Sequence, residues 1–197
     1  MKLPIIVLLI AAALYLLPYV RVLFKRIALY FRMRALCRQR GMTFIPSHPL
    51  WFLAPNSSVG ADFYIETRDS VLAVKLFAVR GFRTSLILDE NGTYRIRHYL
   101  GFRSVTPDKR PYDSSPHPFP ATGFHFAYRD EWSSKLFRQI LLLNPTSQGV
   151  YVSNNSNERT VWGNGNIETV RGMEIYTLSR LLGELRAPDA DGVIENY

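Results

Sequence analysis

The stretch "LPIIVLLIAAALYLLPYV", residues 3–20, carries no charged side chain. At 1.5 Å of rise per helical residue it would extend ~27 Å, close to the ~30 Å hydrocarbon core of a bilayer. Arg21 can snorkel to the surface, so Val22, Leu23 and Phe24 add to the buried length. Pro4 falls in the first helical turn, where its missing N–H costs no hydrogen bond, and Pro18 lies toward the far end, where a kink is tolerated. A cleavable leader matches poorly, because the run is too long and Ala11, Ala12 and Ala13 sit in its middle rather than after it. A buried core helix would not need so pure a run. The sequence therefore predicts a single-pass transmembrane anchor over residues 1–24.

Charge sets the expected orientation. Lys2 and the amino terminus precede the run, whereas Arg21, Lys25, Arg26, Arg32 and Arg34 follow it closely. The positive-inside rule then puts the N-terminus outside and the C-terminal domain in the cytoplasm. The same five cations are expected at the membrane surface, where each favours anionic lipid head groups by about 1 kcal/mol. Helical periodicity continues through "RVLFKRIALYFRMRALCRQRG", with Val20, Leu23, Phe24, Ile27, Tyr30 and Phe31 as its apolar face and Gly41 as its stop. Residues 25–41 are thus expected to form a basic juxtamembrane helix.

The net charge of +8 invites a nucleic-acid partner, but its location argues otherwise. Residues 1–61 hold eight of the 24 Lys and Arg and none of the 16 Asp and Glu, so residues 62–197 are neutral overall. A polyanion-binding domain normally carries its own basic surplus. The single Cys37 excludes an internal disulfide and reads best as a small buried apolar side chain.

Beyond Gly41 the pattern becomes extended, and residues 42–187 are expected to form a mixed-sheet α/β domain. "MTFI" and "LWFLA" are short apolar pieces split by Pro46 and Pro49, and "ADFYIE" and "VLAVKLFAV" form a hairpin around "TRDS". "SLILD" and "TYRIRHYL" pair around "ENG", where Asn91-Gly92 signals a two-residue turn. Residues 101–123 read as a proline-rich loop, a contact surface by its length. "DEWSSKLFRQ" reads as a short helix capped by Asp130, "ILLLNP" and "GVYVS" as strands, and "TVW" as an edge strand. "MEIYT" leads into a last helix capped by Thr177, with Leu178, Leu181, Leu182 and Leu185 on one face. Residues 188–197 form an acidic, flexible tail.

Lys75 interrupts the most apolar of these strands. The "TRDS" turn makes paired positions sum to 137, so Asp62 lies opposite Lys75 with Cβ atoms ~5 Å apart. A lone buried lysine would be costly and prone to lose its proton. An opposed carboxylate removes much of that cost. His48, His98, His117 and His125 have no metal-ligand spacing, and no phosphate loop, HExxH or nucleophile elbow is present.

A helix, then "GADFYIE", a turn and "VLAVK" resembles the start of the restriction-endonuclease-like fold, the PD-(D/E)xK superfamily, over roughly residues 22–80. The resemblance implies a metal-dependent nuclease whose two acids hold Mg²⁺ while a lysine stabilises the attacking species. Asp62 matches the first acid, as catalytic residue and metal ligand, and Lys75 matches the lysine. Position 73, where the second acid belongs, is Ala73. Glu66 shares a face with Asp62, but four strand residues separate them by ~13 Å. The expectation is a degenerate member of that fold, without a cofactor: a membrane-tethered interaction or scaffold domain with an unidentified protein partner. The alternative is a Mg²⁺-dependent phosphodiesterase acting on nucleic acid near the membrane.

Overall fold

The computed structural model describes residues 2–48, 60–79, 84–89, 91–99, 112–118, 129–144, 149–154, 157–160, 169–170 and 172–187. Helix α1 runs unbroken from Lys2–Arg40 through Pro18, so no joint separates the expected anchor from the basic helix. Arg38 and Arg40 complement the helix dipole in the last turn. Gly41 then takes φ of 67°, and the Met42 N–H closes on the Cys37 carbonyl at 2.9 Å, the bond of a Schellman stop.

The phase of this helix differs from expectation. Among its described side chains the buried ones are Arg26, Leu29, Met33, Leu36 and Cys37, mostly at three- and four-residue spacing, while Phe24 and Phe31 point outward, 68% and 63% exposed. The periodicity holds, but it is the downstream stripe that has a sheet to cover.

Two mixed sheets make up the rest. The first has the order β1 (Thr43–Pro46), β2 (Phe63–Glu66), β3 (Ser70–Phe77), β8 (Leu136–Leu143), β12 (Met173–Thr177), β11 (Thr169–Val170). Its centre, β3–β8–β12, is parallel, and its flanking pairs are antiparallel. The second has the order β10 (Asn157–Thr160), β9 (Gly149–Asn154), β4 (Thr84–Asp89), β5 (Thr93–His98), β6 (Tyr112–Asp113), with β7 (His117–Pro118) also on β5. An α/β domain with mixed sheet is therefore observed, as two layers rather than one.

Strand alternation explains the layering. Phe63, Ile65, Leu72, Val74, Leu76, Ile140 and Leu142 meet Leu29 and Met33 of α1 and Leu181 and Leu185 of α2 (Leu178–Arg186). On the opposite face Phe77, Leu141, Leu143 and Ile175 meet Leu86, Leu88, Val150 and Val152 of the second sheet. The first sheet is thus sandwiched between two helices and the second sheet. Where the second sheet does not reach, Trp132 covers Tyr64, Val71 and Ala73.

Several local expectations hold and several do not. The β2–β3 register pairs Phe63 with Val74 and Glu66 with Val71, as the turn requires. Thr177 caps α2, its hydroxyl accepting the Arg180 N–H at 3.3 Å. The β4–β5 register is centred on Asn91, with Leu88 opposite Tyr94, so three residues rather than two span the turn; Gly92 takes φ of 87°. Only Asp130–Trp132 of the expected "DEWSSKLFRQ" helix is helical, as one 3-10 turn. Its "LFRQ" belongs to β8, because pairing along all of β3 outweighs a short local helix. The edge strand beside β9 is "NERT", ending at Thr160, the first residue of the expected "TVW"; Val161 and Trp162 lie outside the described residues. Within the proline-rich stretch, β6 and β7 pair with β5. "LWFLA", the rest of residues 101–123, His125 and the tail 188–197 lie outside the described residues.

Candidate functional site

Asp62 sits one residue before β2, and its N–H donates to the Val74 carbonyl at 2.9 Å. Its own carbonyl accepts both the N–H and the hydroxyl of Ser47, at 3.1 and 2.7 Å, which fastens the end of β1 to this corner. The carboxylate turns along the strand edge, and Oδ2 accepts the Leu76 N–H at 2.7 Å. Lys75 lies on the sheet face shared by Ala73 and Phe77, between the Trp132 cluster and the inter-sheet core. Its Nζ is 3.9 Å from the same Oδ2 and donates to the Gly60 carbonyl at 3.1 Å.

The expected meeting of acid and amine is therefore present, in a different form. Asp62 bonds the backbone of β3 at 2.7 Å and attracts the ammonium at 3.9 Å, while the ammonium donates to the Gly60 carbonyl. Both groups are buried, at 6% and 1% exposure. A third ionisable group joins them. Arg26, expected at the membrane surface, is only 2% exposed, and its field acts on both partners. It occupies the core-facing stripe of α1, where helix phase, not charge, decides direction. Burial pushes the Asp62 carboxyl up, against the pull of Lys75, the Leu76 N–H and Arg26. Burial likewise pushes the Lys75 ammonium down, against Asp62 and with Arg26.

These residues do not fit Mg²⁺. One carboxylate oxygen is already committed to an amide, and the nearby charges are an ammonium and a guanidinium, which repel a divalent cation. Ala73 stands opposite Tyr64 and is fully buried. Glu66 turns to another partner: its Oε1 accepts from Lys135 Nζ at 2.8 Å, which also donates to the Thr67 carbonyl at 2.7 Å. That bond holds the Glu66 carboxyl below its ordinary range. Among the described residues no three His, Cys, Asp or Glu side chains gather as metal ligands. His98 stacks on Tyr112 with ring centres 4.9 Å apart, and His117 lies 5.5 Å from Tyr94.

One polar cluster has no counterpart in the sequence reading. Arg138 of β8 forks onto Glu174 of β12, with Nε to Oε1 at 2.8 Å and NH2 to Oε2 at 2.6 Å, and also bonds Glu184 of α2. The Tyr176 hydroxyl receives Arg138 NH2 at 2.9 Å and bonds Glu184. These contacts span 36 and 46 positions of sequence, and only the β8–β12 register and the docking of α2 bring them together. Every member is engaged by another, so the cluster reads as a clasp between sheet and helix.

The membrane-facing candidates divide by exposure. Lys25, Arg32 and Arg34 are exposed and Arg21 is half-buried. Toward the N-terminus Ile6, Val7, Leu8, Ile10, Tyr15, Leu16, Leu17, Tyr19 and Val20 are each at least 41% exposed, covering every side of the helix. Among the described residues no helix is long and apolar enough to cross a membrane. The side chains of residues 3–5, 9, 11 and 14, which belong to the apolar run of the sequence, lie outside the described ones. No family model matches the chain, and neither a curated protein nor a solved structure matches it.

Proposed function

We propose that the chain is a membrane-tethered interaction domain, held by the N-terminal half of α1 and facing the cytoplasm. The observation that carries this reading is the division of one continuous helix. Its C-terminal half supplies Leu29, Met33, Leu36 and Cys37 to the domain core, while its N-terminal half presents large apolar side chains on all sides, each at least 41% exposed. A helix apolar all round needs an apolar surrounding. Nine such side chains at ~1.5 kcal/mol or more each favour hydrocarbon over water by on the order of 10 kcal/mol. Because the helix enters the core without a joint, the tether is rigid.

The domain is proposed to act by contact rather than catalysis. Support comes from how Asp62 and Lys75 are spent: the carboxylate on the Leu76 N–H and the ammonium on the Gly60 carbonyl, inside the fold. Asn144 completes the mounting, its N–H on the Phe77 carbonyl at 3.0 Å and its amide on the Lys25 carbonyl at 3.3 Å.

Alkaline carbonate extraction of membranes carrying the full chain tests the tether. The chain is expected to stay in the pellet, and a variant lacking residues 2–20 to leave it. Release of the full chain would end the proposal. An Asn91→Cys variant, labelled with an impermeant maleimide, is expected to react only after cells are opened; labelling of intact cells would reverse the orientation.

A further inference from the structure

The outward face of α1 has a layout that the tether does not use. Ala28, Phe31 and Ala35 follow at spacings of three and four, as on the seam of a coiled coil, diametrically opposite the core stripe. At about 100° per residue, Arg34 and Arg38 flank the seam on one side and Lys25 and Arg32 on the other. Ala28, Phe31, Arg32, Arg34, Ala35 and Arg38 are all exposed. A cleft of about 470 Å³ between α1 and β1, walled by Tyr30, Arg34, Arg38, Met42 and Phe44, adjoins it.

The charges here lack the balance found elsewhere. Glu66, Asp89, Asp113, Glu174 and Glu184 each have a cationic partner. Among the described residues, Arg32, Arg34 and Arg38 have no carboxylate within ion-pair distance; Arg34 bonds the Tyr30 hydroxyl at 3.1 Å.

Lipid head groups do not account for these arginines if α1 is the tether. Counted from Phe24, the last residue of the expected anchor, Arg34 is ~15 Å and Arg38 ~21 Å further along the helix. The polar layer is only ~5–8 Å deep on each side. At the average tilt of about 20°, they remain ~14 and ~20 Å from the hydrocarbon edge. Arg21 and Lys25 lie at head-group depth. A second copy of the chain would set basic flank against basic flank, which a coiled-coil seam disfavours.

We infer that this face docks an acidic amphipathic helix of a protein partner, whose apolar seam packs on Ala28, Phe31 and Ala35 and whose flanking carboxylates meet Arg32, Arg34 and Arg38. The inference rests on the tether reading for its exclusion of lipid. Alternating Phe and Ala offer one knob and one hollow per half-heptad, so the partner's side chains have somewhere to enter. Charged flanks select the partner, and the apolar seam holds it.

The test uses the full chain in nanodiscs of phosphatidylcholine alone. The probe is a fluorescent helical peptide about three heptads long, with Leu on its seam and Glu on its flanks. Its control has the same composition in permuted order. Insertion is scored first, by co-elution of chain and nanodisc; failure there ends the tether reading and leaves the titration to be run on the chain in detergent. The seam peptide is expected to bind at least about tenfold more tightly than the permuted one. Arg34→Glu with Arg38→Glu, and separately Phe31→Ala, should each weaken it about tenfold or more, with the circular dichroism of the chain unchanged. Equal binding of the permuted peptide, or indifference to these exposed-residue variants, overturns the inference. So does tighter binding of a DNA duplex, a requirement for phosphatidylserine, or binding that emerges only when residues 188–197 are deleted.

Discussion

Removing Asp62 and removing Lys75 are expected to have very different costs. In Asp62→Ala the buried Leu76 N–H loses its 2.7 Å acceptor, and Lys75 and Arg26, 1% and 2% exposed, lose the attraction of a buried carboxylate. Removing the acid from a buried cluster of this kind costs about 3–5 kcal/mol. In Lys75→Met the lost attraction acts over 3.9 Å, or ~4 kcal/mol at an effective dielectric of 20. The several kcal/mol of desolvation that the ammonium would otherwise incur disappear with it, and a methionine of similar length fills the space. The Gly60 carbonyl loses its donor, worth about 1 kcal/mol. The net change should fall within about 1 kcal/mol of zero. Asp62 also keeps the Leu76 N–H and the field of Arg26 in that variant. Pulse proteolysis of the full chain across a urea series, in detergent, reads both variants on one scale. A Lys75→Met loss as large as that of Asp62→Ala would refute this reasoning, because it would make the ammonium, rather than the amide cap, the reason for the carboxylate.

Two further outcomes follow from the charged and polar groups. The Arg138 guanidinium, with help from Tyr176, holds the Glu174 carboxyl below its ordinary value of 4.5, while the Tyr176 hydroxyl is itself pushed up by burial and by Glu184. A carboxyl whose pKa is depressed in the folded state stabilises above the unfolded value, and that contribution is lost as pH falls through the folded one. Stability should therefore decline on acidification below about pH 4.5, and Glu174→Gln should flatten the decline; an unchanged acid slope would show that the clasp is not linked to folding. Burial pushes the Cys37 thiol up from 9.0 to about 11, so its thiolate fraction near pH 8 falls roughly a hundredfold. Dithionitrobenzoate should label Cys37 only as the domain unfolds, and prompt labelling of the native chain would place the thiol outside the core.

Much of the hairpin geometry was legible because it is local. A four-residue turn closed by Thr67 and Ser70, whose hydroxyls lie 2.9 Å apart, forces the register of β2 on β3 wherever that hairpin sits in the fold. The stop at Gly41 and the cap at Thr177 were legible for the same reason: each depends on a handful of neighbouring bonds. The helix over "DEWSSKLFRQ" failed because its rival lay far away, in the parallel pairing of Leu136–Leu143 with Ser70–Phe77.

By itself, then, the sequence determined an uncharged helical run followed by clustered arginines, the places where strands turn, and the opposition of Asp62 and Lys75. Those follow from rise per residue, periodicity and turn chemistry, which act over a few positions. The tertiary structure alone decided that Arg26 faces inward, that the strands divide into two sheets, and that Arg138 clasps Glu174 and Glu184. Each of these depends on which surface another element covers. Burial is a property of the packed whole, so a helix face or a strand run becomes core only when a distant segment arrives to exclude water.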